Sequence, residues 1–401
     1  MAKRKIQKPT RFERMYKVWD YLRKNTDRRH PTSIAKMRKD ENINAYIGDK
    51  ETINRLLKDM ANIMNLEDGG SDYKPEAEWR LYFDDFKKFY GDKERCERDD
   101  SDEDDSYIAN VMHIKNLYYN RTFSEKEVDS IIEGIMATRT LDSKSAQELV
   151  RKVEDNMTTV FYKRTPRHIC KVQEPELADR ELLKDNLAII QKAIDDNVRI
   201  QFRFNGYSYK KKLEPVREES DELSPYYIVA SGGKYYLLAA KEYEGYKPDM
   251  SIWRIDLMTD IEIPGRNDRL HIKGIPRIPK KNVSNLPEKW SEDFQLKHLN
   301  MSFDKPIPVT LRIKSEKCED NPKKRVRPGY TFLHDWFGDS FTYIRTETKP
   351  PYDDIVRVEC SPYGMAHWAL QYSELVEVLE PESLREDIKS KIKALNEKYS
   401  L

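Results

Sequence analysis

Apolar residues recur every three to four positions in the first part of the chain and at every second position in its middle. That change of period separates a helical N-terminal part from a strand-rich centre. Phe12, Met15, Val18, Trp19 and Leu22 mark a first amphipathic helix, and His30-Pro31 breaks it. A second short helix runs through Ser33-Ile34-Ala35-Lys36-Met37. Asp49 stands as an N-cap, with Thr52 three positions on, ahead of Ile53, Leu56, Leu57 and Met60. Glu67-Asp68-Gly69-Gly70 reads as a turn and Trp79-Arg80-Leu81-Tyr82-Phe83 as a strand. Ser124-Glu125-Lys126-Glu127 is a capping box before Val128, Ile131, Ile132 and Ile135, and another helix follows through Ala146, Leu149, Val150 and Val153.

The centre opens on a helix carrying Leu182, Leu183, Leu187, Ile190 and Ile194, which Asp196-Asn197 ends. Arg199–Phe204 then alternates as a strand, Asn205-Gly206 predicts a turn, and Tyr207–Leu213 predicts the next strand. Pro225–Ala230, Lys234–Ala240 and Ser251–Asp256 complete a set of short, turn-linked strands that suits a small barrel-like sheet. Arg254 lies mid-strand between Trp253 and Ile255 and faces away from both. It is either an ordinary solvated position or a guanidinium held on a rigid strand to meet an anion or nucleotide. Alternation also puts Tyr235 and Leu237 on one face and Tyr236 and Leu238 on the other, so one tyrosine belongs to the core. The pattern alone does not say which.

With 401 residues, two to four domains are expected. The net charge of +1 argues neither for nor against nucleic acid, but its distribution is uneven. Residues 1–60 carry 17 Lys/Arg against 8 Asp/Glu, whereas Asp84–Asp105 carries 11 acids against 5 bases. The acidic run Glu94–Asp105 is a solvated loop, or else a mimic that competes with DNA for the basic module. Three short helices, the last bearing Lys50, Thr52, Asn54 and Arg55, suit a helix-turn-helix whose final helix enters the major groove. Asn54 would pair with adenine and Arg55 with guanine or phosphate, while Glu51 accepts from cytosine or stays on the solvated face. Lys74 and Arg80, on the following β-wing, are candidate phosphate contacts or merely solubilising.

Cys96, Cys170, Cys318 and Cys360 are scattered, without metal spacing, which fits a cytoplasmic protein holding no metal or cofactor. The basic N-terminus lacks the apolar run of a signal peptide, and no stretch is apolar enough to span a membrane. Hydrolase, zinc-protease and P-loop motifs are absent, and the seven histidines do not cluster, so the expected protein is not an enzyme. A metal-free nuclease built from Lys, Tyr and Arg is the enzymatic alternative.

The central module resembles the WYL-domain transcriptional regulators. Tyr235-Tyr236-Leu237 matches the name-giving tripeptide, with tyrosine in place of tryptophan. Lys211-Lys212-Leu213-Glu214-Pro215 fits the family's basic residue ahead of its V-x-P element. Arg254, within Trp253-Arg254-Ile255-Asp256-Leu257-Met258, fits the arginine of its last core strand, and Leu257 stands where a second arginine is usual. Thr52-Ile53-Asn54-Arg55 resembles the family's recognition segment, with Leu56 replacing an acid. Val309–Ile313, Ala366–Leu370, Val376–Pro381 and a last helix over Pro381–Tyr399, with Leu384, Ile388, Ile392 and Leu395 in register, resemble its C-terminal extension.

The resemblance implies a multidomain α+β protein. Residues 1–90 would form a winged helix-turn-helix, 91–180 an acidic loop and helical linker, and 181–275 a five-stranded, Sm-like β-barrel WYL domain. Residues 276–305 would be a linker and 306–401 a C-terminal α/β extension domain. The implied function is a ligand-responsive transcriptional regulator, a homodimer on a palindromic double-stranded DNA operator. Lys211, Tyr227, Tyr235 and Arg254 would then bind a nucleic-acid or nucleotide effector. The alternative is an accessory protein of a defence system that binds single-stranded nucleic acid.

Overall fold

The computed structural model describes residues 9–67, 73–84, 114–138, 141–164, 180–314, 317–318, 321–325 and 329–399. The acidic run Glu94–Asp105, Cys96, Cys170 and all but Glu67 of the turn expected at Glu67–Gly70 lie outside them. The architecture is multidomain α+β, and it divides into two compact units, Met1–Pro175 and Glu176–Leu401.

In the first unit, α1 (Arg11–Asn25) begins at Thr10, which forms a capping box with Glu13. Helices α2 (Ile34–Lys39), α3 (Asn44–Ile47) and α4 (Lys50–Asn65) follow, the last capped by Asp49, which accepts from the Thr52 N–H. Ile53, Leu56, Leu57 and Met60 of α4 pack with Val18 and Leu22 of α1 in one core. Phe12 departs from the expected apolar face and is 77% exposed.

Strand β1 (Leu81–Tyr82) pairs antiparallel with β2 (Tyr118–Tyr119), and Leu117 bridges to Thr32. Residues 85–113, which lie outside the described residues, separate these two strands in the chain. Helices α5 (Glu125–Ala137) and α6 (Ser143–Met157) form a hairpin with its own small core. They are tied to the end of α1: Arg121 donates to the carbonyls of Thr26 and Thr158, Arg23 to that of Asn156, and the His30 ring stacks on Phe161. The expected linker is thus docked onto the helices it follows.

The second unit begins with α7 (Arg180–Asp196), which lies against a curled antiparallel half-barrel. Its strands are β3 (Ile200–Tyr207), β4 (Leu213–Pro215), β5 (Asp221–Ser231), β6 (Lys234–Ala240), β7 (Met250–Arg254) and β8 (Met258–Glu262). They run in the order β4-β3-β5-β6-β7, with β8 also on β3, so the sheet has six strands rather than five. The turn expected at Asn205-Gly206 is absent because β3 runs through it. Asn205 points inward and donates to the Leu257 carbonyl and to Thr259 Oγ1, both at 3.0 Å, which holds the strand straight where a hairpin would bend it. The bend comes at Ser208–Lys212, and the strand expected over Tyr207–Leu213 is replaced by this tip and the short β4.

A one-turn helix α8 (Phe294–Lys297) leads to a four-stranded sheet of β9 (Ile307–Ile313), β12 (Thr342–Thr346), β13 (Asp354–Cys360) and β14 (Val376–Glu380), in the order β12-β13-β9-β14. A separate hairpin pairs β10 (Lys317–Cys318) with β11 (Asn321–Arg325). Helices α9 (Thr331–Phe337), α10 (Pro362–Gln371) and α11 (Glu382–Tyr399) complete this region around Trp368, which is fully buried.

Helix α10 meets the loop after α8 at Gly364, where an added Cβ would lie 2.7 Å from the Leu299 carbonyl and 2.8 Å from Ser361 Oγ. Neither neighbour is the end of a flexible chain, so the helix must shift. Gly364→Ala is expected to destabilise the C-terminal region by roughly 1–3 kcal/mol. Hydrogen exchange along α10 would read this as lost protection; unchanged protection would show that the contact yields freely.

Candidate functional site

The sheet of β5, β6 and β7 has two differently used faces. Tyr235, Leu237 and Ala239 turn toward the core beneath α7, with Phe202 and Trp253. Tyr236 and Leu238 turn the other way, with Val229, Ile252 and Met250, toward Phe294 and Met301. In the ladder Tyr236 stands directly opposite Arg254, and Leu238 opposite Ile252. The tyrosine that accompanies Arg254 is therefore Tyr236, and the expected Tyr235 is a core residue.

Arg254 ends β7, and a 3-10 turn over Ile255–Leu257 follows where strand was expected. The turn is pinned from behind by the buried Asn186, whose amide donates to the carbonyls of Ile255 and Met258. It brings Asp256 back beside Arg254, whose Nε (3.2 Å) and Nη2 (2.6 Å) donate to the two carboxylate oxygens. The Asp256 side chain is only 1% exposed and that of Arg254 30%. Burial by itself lowers the Arg254 guanidinium, but the Asp256 hydrogen bonds and charge outweigh it and raise its pKa. Burial raises the Tyr236 phenol as well. Arg254 is thus a fixed, permanently charged group facing an intact phenol, with Nη1 left out of its bond to Asp256. Leu257 sits buried in the same turn and belongs to the packing.

The remaining expected ligand residues do not converge here. Tyr227 shares this face, but its hydroxyl accepts from Lys280 at 2.9 Å and lies 3.1 Å from the Pro287 and Glu288 carbonyls, with Lys280 over its ring. It anchors the segment that covers the sheet. Lys211 occupies the exposed β3–β4 tip with a left-handed backbone, φ 61°, and its N–H donates to the Ser208 carbonyl. Around it stand Lys210, Lys212 and Tyr209, the last 91% exposed; Tyr207 is half exposed and contributes to the electrostatic surroundings of Arg254. Lys211 was singled out in the sequence, but its place on a tip beside Tyr209 was not, because a turn was expected at Asn205-Gly206 instead.

On α4, Lys50, Thr52 and Arg55 are exposed, and Arg55 pairs with Glu51 at 2.7 Å. Asn54 is corrected: it is fully buried and cannot reach a base edge. The signal was present, because Asn54 stands three residues before Leu57 and seven before Ala61, on their side of the helix. Lys74 and Arg80 are half-buried, flank the start of β1, and have their backbones tied to Asn65.

Among the described residues no group of three or more His, Cys, Asp or Glu could hold a metal ion, and no helix is long and apolar enough to cross a membrane. Residues 305–395 match the family of the WCX domain. No curated protein matches the chain. Among solved structures the chain is similar to proteasome accessory factor B/C (PafBC) of Arthrobacter aurescens, at 14% identity and a TM-score of 0.21, over 87% of this chain and 55% of that one. It is also similar to a CRISPR Cas-related protein, at 13% identity and a TM-score of 0.30, over 74% of this chain and 78% of that one. The chain spans about half the length of the first of these, 55%.

Proposed function

We propose that the protein is a ligand-responsive, DNA-binding transcriptional regulator. Its first module acts as a winged helix-turn-helix and its half-barrel as a WYL sensor. The C-terminal region extends the sensor, a reading supported by the WCX match over residues 305–395. The observation that carries the proposal is the order Thr32–β2–β1 beside α1, α2 and α4, with the polar side of α4 turned to solvent. A small sheet next to an exposed helix is the arrangement with which winged helices fill a major groove and touch the flanking backbone. In this reading Arg55 and Thr52 face the groove and Lys50, Lys74 and Arg80 the phosphates. The protein acts as a homodimer, because a two-fold operator needs two such helices.

The effector is an anionic ligand, a nucleotide or nucleic acid, that meets Arg254 and Tyr236. Effector and operator then alter each other's affinity by the same factor. A second reading, an accessory protein that binds single strands, is favoured by the exposed Tyr209 beside Lys210–Lys212, since an exposed ring can stack on an unpaired base.

Footprinting on genomic duplex fragments, run beside single-strand binding assays, tests both. A discrete palindromic footprint is expected, and Arg55→Ala should relax its sequence preference by roughly 1–3 kcal/mol at one position of each half-site. Sequence-tolerant single-strand binding without any duplex footprint would replace the first reading by the second.

A further inference from the structure

The face of the first module that holds Arg55 continues onto α1, which the sequence placed only in the core. A groove of 710 Å³ between the two helices is lined by Arg11, Arg14, Thr52, Arg55, Lys58 and Asp59. Arg11 pairs with Asp59 and Arg55 with Glu51. Arg14 differs. It is half-buried, its Nε donates to the Pro9 carbonyl at 3.3 Å, and it forms no ion pair among the described residues, although the Asp49 carboxyl, held low mainly by the Thr52 N–H, also feels its charge. Its guanidinium is seated on Gly48, where a Cβ would come within 2.5 Å of Nη1, and Gly48 itself holds φ +66°. The turn before α4 is therefore shaped to receive this side chain, and it holds a permanent charge at the mouth of the groove. A neighbouring hollow that shares Arg11 and Asp59 is lined by Phe12, Met15, Asn62 and Ile63, with Phe12 77% and Ile63 70% exposed.

We propose that this groove binds the sugar-phosphate backbone of duplex DNA, with Arg14 as its phosphate anchor. Lys58 stands along the phosphate path, Arg55 reaches on into the major groove, and Phe12 and Ile63 pack against the deoxyribose beyond it. The chemistry suits that ligand: a guanidinium fixed before binding loses little freedom on meeting a phosphate, and apolar side chains next to it match the sugar. A second copy of the same surface is the poorer occupant, because it would set cation against cation. The inference rests on the reading that α4 faces DNA, and it adds α1 to the contact surface.

The test uses the full chain, a fluorescent duplex carrying the footprinted operator and a random duplex of equal length, with affinities measured from about 50 to 200 mM salt. Arg14→Gln should weaken both duplexes by a similar factor and lower the salt slope by about 0.9, the signature of one lost phosphate contact. Arg14→Lys should recover most of the slope, which separates a phosphate role from a purely structural one. If the wild-type protein binds neither duplex, the DNA-binding reading fails and the inference falls with it. If the wild type binds and Arg14→Gln changes neither affinity nor slope, the inference alone fails. It fails equally if Arg14→Gln tightens binding, since the groove would then hold something that competes with DNA.

Discussion

Replacing Asn65 with alanine is expected to destabilise the first module by about 3 kcal/mol and to release β1 from α4. Asn65 is the last residue of α4 and is fully buried. Its amide donates to the Leu81 carbonyl at 2.7 Å, and its Oδ1 accepts from the N–H groups of Arg80 (2.8 Å) and Leu81 (3.2 Å). Each such bond is worth roughly 1 kcal/mol net, and removing one side chain leaves three backbone groups without their partner. Alanine supplies no replacement for these bonds. Hydrogen exchange at the Leu81 amide, with chemical denaturation followed by Trp79 fluorescence, would measure the loss. A variant with wild-type protection at Leu81 would show that the β1–β2 ladder suffices to hold the strand. Of the two neighbouring cations only Arg80 loses its tie in this variant, because the Lys74 N–H donates to the Asn65 backbone carbonyl, which alanine keeps.

The second large effect concerns Arg254 and separates its charge from its ligand. Arg254→Ala strands the Asp256 carboxylate, which is 1% exposed, and breaking such a pair costs about 3 kcal/mol once the partial exposure of the arginine is allowed for. A loss of ligand response in this variant would therefore say little about sensing. The double change Arg254→Met/Asp256→Leu removes both charges and replaces them by apolar groups of similar volume, which buried pairs commonly tolerate. It is expected to regain most of the lost stability while abolishing binding of an anionic ligand. Thermal unfolding of Arg254→Met, Asp256→Leu and the double variant gives the coupling energy directly. Additive losses would show that the pair is not coupled, and nucleotide binding that survives the double change would remove Arg254 from the sensing site.

Much of the fold was legible because it rests on local signals. The spacing of Ile53, Leu56, Leu57 and Met60 marked α4, Asp49 and Ser124 marked helix starts, and alternation marked β6 and β7. Asn205-Gly206 failed as a turn signal because a buried amide bonded to Leu257 and Thr259 outweighs the turn preference of the dipeptide. Asn54 failed as a base reader although its spacing to Leu57 and Ala61 already put it on the buried face of α4, because a polar side chain there reads as exposed until that face is traced. The pairing of β1 with β2 was not legible because nothing nearby in sequence announces that Leu81 and Tyr82 find their partners at Tyr119 and Tyr118.

The chain's own sequence determined the helices, the strands and the presence of an arginine on a rigid strand, since each depends on periodicities within a few residues. Tertiary structure decided which tyrosine meets that arginine, which carboxylate holds it, and which helix shares the cationic groove with α4. Those outcomes depend on the register between β6 and β7, on a 3-10 turn fixed by Asn186, and on a guanidinium seated over Gly48. All three are contacts between segments far apart in the chain, where the local pattern is the same for either face and only packing selects one.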